Sequence, residues 1–196
     1  MVFSAQGYCG DSMSDAIRHL REEHDRLLDI VNAAEQLASR LERNERISTD
    51  VLRGTQEVFQ LYAHTIHREK EEDLLFPILR DKGVHQGASC VGIMLADHEE
   101  GHAAFARMAS CIERYAEGEA GAGPEWAMAA LQYCELLRRH IHRENDVVFG
   151  IAERSLSDDE DWDLQRSFAE VDRKAGRSGL NERMEEAERL LRAAAG

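Results

Sequence analysis

Seven residues of this chain combine metal-binding chemistry with helical spacing: His24, His67 with Glu71, His98 with His102, and His140 with Glu144. Residues four apart on a helix lie on one face, one turn above each other. Imidazole nitrogens and carboxylate oxygens together suit divalent first-row metals. A single core histidine is ordinarily satisfied by some mundane hydrogen bond. Five buried imidazoles and two buried carboxylates would each need such a partner, and an ionised carboxylate without one costs several kcal/mol in an apolar interior. A pair of divalent ions removes that cost, so spacing and burial predict a two-metal site.

Those residues need helices to carry them. Only two prolines interrupt 196 residues rich in Ala, Leu, Glu and Arg, a composition that favours an all-helical protein. A first helix is expected from Ser12, with Asp15 at capping-box spacing, to about Arg43. Ile17, Leu20, His24, Leu27, Leu28, Val31, Ala34, Ala38 and Leu41 form its apolar stripe, while His19 falls on the wet face. A second helix, from Ser48–Asp50 to about Asp81, aligns Phe59, Ala63, His67, Glu71, Leu74 and Ile78 and leaves His64 exposed, with Pro77 bending or ending it. Lys82–Ala88 reads as a loop with His85 at its surface.

A third helix, roughly Ser89–Glu117, places Val91, Met94, His98, His102, Phe105 and Met108 in one stripe. A glycine-rich break precedes Pro124, which suits the first turn of a fourth helix reaching about Arg154. Two pairs compete there, His140 with Glu144 and His142 with Asp146. Residues two apart point about 200° away from each other, so only one pair can face the core. Tyr133, Leu137, Ile141 and Val148 align with His140 and Glu144, which selects them unless the register slips.

Four long amphipathic helices with short connections predict an up-down-up-down antiparallel four-helix bundle over residues 12–154, behind a loose N-terminal arm at 1–11. Residues 155–196 form a helical C-terminal extension, with an acidic capping box from Ser157 and two amphipathic stripes, Leu164 to Val171 and Leu180 to Leu191. These helices are expected to dock on the bundle, fray, or serve a homodimer or protein partner.

A net charge of −14 argues against nucleic acid as partner. Four scattered cysteines form no disulfide framework, and no run approaches the ~18 apolar residues that span a bilayer. With no signal-peptide pattern at the N-terminus, a cytoplasmic protein without membrane contact is expected.

The segments LREEHDRLL, HREKEEDLLFP, LADHEEGH and HIHRENDVVF occur in order and in phase, and over about residues 12–154 they resemble the hemerythrin-like, or HHE cation-binding, proteins of the bacterial type. The resemblance implies two non-haem iron ions with a bridging oxo or hydroxo group. One iron would be held by His98, His102 and His140, the other by His24 and His67, with Glu71 and Glu144 between them. It also implies an open position near Leu28, Leu137 and Ile141, although ordinary packing explains those residues equally well. The chain departs from the oxygen-carrying hemerythrins, since it ends in H-x-x-x-E where they have H-x-x-x-x-D. Cys9 is a weak substitute for the cysteine-containing N-terminal module of iron-cluster repair proteins.

Mixed imidazole and carboxylate ligands suit iron or manganese, and iron is the choice here. Three functions fit. The site binds O2 or another small diatomic for storage, delivery or sensing; it acts as a redox enzyme on peroxide or nitric oxide; or it handles iron, including repair. Tyr133 would favour the enzyme if it approaches the metals, and core packing is its plainer role.

Overall fold

The computed structural model describes residues 14–84 and 90–195, and every regular element among them is a helix. The arm at 1–11, Cys9, the start at Ser12, His85 and the start at Ser89 lie outside the described residues. Helix α1 spans Asp15–Glu42 and is capped by Ser14, whose Oγ accepts from the Ile17 amide at 3.1 Å. Helix α2 begins at Thr49 behind the cap of Ser48 and runs without a break to Asp81. Within it, Phe59–His67 and Lys70–Leu75 are widened to the five-residue hydrogen-bond spacing of a π-helix. Pro77 neither ends nor breaks α2, because it sits in the first turn after a widened stretch, where its missing N–H is tolerated.

Helix α3 spans Cys90–Ala116. Helix α4 runs from Ala122 to Arg143, through a widened stretch at Glu144–Val148, and on to Ser155. Helix α5 spans Asp158–Arg177 and is opened by the expected capping box of Ser157 and Glu160. Helix α6 spans Leu180–Ala195. Helix α4 packs on both α1 and α3, and α2 packs on α3.

The extension closes over α1 and α2. Leu164, Phe168 and Val171 of α5, and Met184, Ala187 and Leu191 of α6, are buried against the chain's own core, whereas Trp162 is exposed. At the start of α1, Asp161 of α5 accepts from the Ala16 amide at 3.1 Å and the Asp15 amide at 3.2 Å, satisfying donors that the helix leaves unpaired. Among the described residues no helix is long and apolar enough to cross a membrane.

The core falls into two apolar clusters. Leu20, Leu75, Met94 and Val148 belong to one, and Leu27, Ile66, Ala104 and Ile141 to the other. Each of the four long helices carries a candidate ligand between its two contributions: His24, His67 with Glu71, His98, and His140 with Glu144. A polar layer therefore separates the two cores.

Candidate metal centre

Within that layer His24, Glu71 and Glu144 are completely buried and His67 and His140 are 3% exposed. The histidines turn Nε2 inward. His24 Nε2 and His67 Nε2 stand 2.9 Å apart, and His67 Nε2 is 2.8 Å from Glu71 Oε1. The other oxygen of Glu71 faces His98 Nε2 at 3.4 Å. Glu144 Oε2 lies 3.2 Å from His140 Nε2 and 3.5 Å from His24 Nε2. Two groups result, one of His24, His67, Glu71 and Glu144 and one of Glu71, His98 and His140, each with ligand atoms spaced to hold a cation. Glu71 belongs to both, with one oxygen toward each.

The donor set fits a pair of metal ions. All four carboxylate oxygens of Glu71 and Glu144 are buried without a hydrogen-bond partner, a costly state unless a cation supplies the missing charge. Two imidazole nitrogens about 2.1 Å from one ion, at a right angle, would be about 3 Å apart, close to the separation of His24 and His67.

Outside the layer, three of the Nδ1 atoms have close polar partners. His24 Nδ1 meets Asn145 Oδ1 at 2.9 Å, His67 Nδ1 meets Glu23 Oε2 at 2.7 Å, and His98 Nδ1 meets Glu72 Oε1 at 2.6 Å. His140 Nδ1 faces Asp97 Oδ2 at a longer 3.6 Å. Such partners hold the proton on Nδ1 and leave the Nε2 lone pair free for a metal. Burial by itself would lower the pKa of His67, yet the charge of Glu71 and the hydrogen bond to Glu23 hold it well above the usual value. His140 is likewise brought to about 10 against burial, by Asp97 and Glu144, and Glu71 is held well below the carboxylate range, against burial, by His67 and His98. In the metal-free protein, positive charge on His67 and His98 thus offsets the negative charge of Glu71.

His102 is exposed and stands apart from these groups, with Nε2 against Arg68 and its ring 4.7 Å from that of His64. The reason is register: one turn after His98 the buried residues of α3 are Gly101, Ala104 and Phe105, which leaves position 102 at the edge. The four converging histidines, three buried and His98 half-buried, therefore divide two and two. His64, expected on the wet face, is half-buried and meets the Tyr133 hydroxyl at 2.9 Å. Burial, reinforced by neighbouring His102 and Arg68, lowers His64 to about 3, so it is neutral. His142 and Asp146 face solvent and pair with each other at 3.1 Å. Cys134 is a buried free thiol, pushed up to about 12 by burial, and is not among the converging groups.

A cavity of about 30 Å3 opens on the same layer, touching His67, His98 and His140 and walled by Leu27, Ala63, Gly101, Leu136, Leu137 and Ile141, with His64, Arg68, Asp97 and Tyr133 also on its wall. Leu28 packs on the core instead, and its neighbour Leu27 takes the place at the cavity. The outer partners Glu23, Glu72, Asp97 and Asn145 were missed in the sequence, although each is adjacent to a candidate ligand.

Comparison with known proteins gives three findings. The chain is 34% identical over 87 residues to the iron-sulfur cluster repair protein DnrN of Neisseria gonorrhoeae, which covers 43% of this chain and 55% of that protein. The chain thus spans about half the length of that curated relative. No solved structure matches. The Hemerythrin HHE cation binding domain family matches residues 15–152, so this chain belongs to the hemerythrin HHE cation-binding family.

Proposed function

We propose that the chain is a non-haem di-iron protein that binds O2, or a related diatomic gas, for storage, delivery or sensing. His24 and His67 would hold one iron, His98 and His140 the other, and Glu71 and Glu144 would lie between them. Iron in that place supplies redox-active coordination of a small molecule. The observation that carries the reading is the cavity: about 30 Å3 of largely apolar space reaching three of the ligand histidines. By this measure one water needs roughly 10–15 Å3, so a diatomic fits.

The chain's own residues keep that space selective. Leu27, Leu136, Leu137 and Ile141 disfavour charged guests. Tyr133 keeps its proton, because burial and then the neighbouring Cys134 raise its pKa, and its hydroxyl is hydrogen-bonded with neutral His64. That pair offers a fixed hydrogen-bonding point beside a largely apolar volume, whose wall also carries Arg68 and Asp97.

An up-down-up-down antiparallel arrangement of α1 to α4 is part of this proposal. Its support is the order in which each helix meets the two cores: α1 passes from Leu20 to Leu27, α2 from Ile66 to Leu75, α3 from Met94 to Ala104, and α4 from Ile141 to Val148. Successive helices thus cross the polar layer in opposite senses. A reducing, cytoplasmic setting agrees with the free Cys90, Cys111 and Cys134.

The test is optical. The protein is loaded anaerobically with ferrous iron, exposed to O2 and then depleted of it. A charge-transfer band that appears and disappears supports reversible binding. Irreversible conversion to ferric iron contradicts it and favours a second reading, iron handling or repair, which the name of the relative supports.

A further inference from the structure

We propose that Asp172, on α5, is a positioning residue for the metal centre, acting through Lys70 and Glu23 on the ring of His67. The inference rests on the reading of His67 as a ligand, and it concerns a residue beyond the family match at 15–152. Lys70 is completely buried on α2, immediately before Glu71. Its ammonium donates to Asp172 Oδ1 at 2.6 Å and to Glu23 Oε1 at 2.5 Å, and Phe168 of α5 lies beneath it at 5.9 Å. The second oxygen of Glu23 accepts from His67 Nδ1 at 2.7 Å. One unbroken chain of contacts therefore leads from the extension to a candidate ligand.

His19, Glu23 and Asp172 by themselves have the spacing of a cation site, and the Lys70 ammonium already stands among them, held by Glu23 and Asp172. A buried ammonium is tolerated only while anions surround it. Without Asp172 it would be left with Glu23 alone and with an opening toward solvent, since the Asp172 side chain is 40% exposed. Glu23 would then lose the fixed direction that orients the His67 ring. His24, His98 and His140 face other partners, Asn145, Glu72 and Asp97. The loosening is therefore confined to one of the two ions.

The experiment uses the full chain as wild type, Asp172→Ala and Asp172→Glu, each loaded anaerobically with ferrous iron and mixed with excess ferrozine. Outer partners of metal ligands typically change affinity by about 10–100-fold. Asp172→Ala is expected to release one iron equivalent about tenfold faster, at the lower end of that range, with the other unchanged, and Asp172→Glu is expected to restore the slow phase. Release of both equivalents at the wild-type rate overturns the proposal. Equal acceleration of both, with a lowered melting temperature of the metal-free chain, also overturns it, by showing a general loss of stability. If wild type takes up no iron, the metal reading itself fails; if it does and Asp172→Ala behaves identically, only the role of Asp172 fails.

Discussion

Each candidate ligand histidine faces, from behind, the sequence neighbour of a candidate ligand on another helix. Glu23, beside His24, holds His67; Glu72, beside Glu71, holds His98; Asp97, beside His98, faces His140; and Asn145, beside Glu144, holds His24. Orientation is thereby passed once around the four long helices. Residue by residue, this separates His98 from His102. His98→Ala should lose one ion per chain and His102→Ala none, by metal analysis after desalting; equal losses would return His102 to the ligand set. Gly101 gives a second handle, because a methyl group there would meet Leu136 Cδ2 at 3.6 Å and Tyr133 Cε2 at 3.8 Å, ordinary contacts on the cavity wall. Gly101→Ala should stabilise the helix by about 0.5–1 kcal/mol and slow gas uptake by narrowing the cavity. A raised melting temperature with unaltered uptake would remove the cavity from the account.

At the scale of elements, the contact between α1 and α5 should depend on pH. His19 of α1 is raised to about 9 by its hydrogen bond to Asp172 and then by Glu23, against burial and the charge of Lys70. A folded pKa above the ordinary 6.5 adds stability that is complete below pH 6.5 and is lost as pH rises through about 9. The melting-temperature gap between wild type and His19→Ala, both metal-free, should therefore shrink across that window; a constant gap would show that the His19 charge contributes nothing. Helices were legible in the sequence because apolar stripes and caps such as Ser157 with Glu160 agree with each other. The register beyond a ligand was less legible. On α3 the buried residue one turn after His98 is Gly101, which carries no hydrophobic signal, so the stripe legible in the sequence runs through His102. On α2, His64 has polar neighbours in sequence, yet Phe105 and Tyr133 from other helices cover it. The widened stretches at Phe59–His67, Lys70–Leu75 and Glu144–Val148 adjoin or contain candidate ligands, and a uniform period of 3.6 cannot reveal them.

Over the whole molecule, two apolar cores enclose one polar layer, and the extension seals one side of it. The sequence predicted two amphipathic helices after Ser157 but left their partner open, because an apolar stripe does not say which surface it meets. The structure answers with the chain's own α1 and α2. The central claim is that this layer holds two ions with four histidines and two carboxylates. It is tested most directly by titrating the metal-free chain with ferrous iron under anaerobic conditions and counting the ions retained. Two per chain is the predicted result, for wild type and His102→Ala alike. One ion or none in the wild type would contradict it.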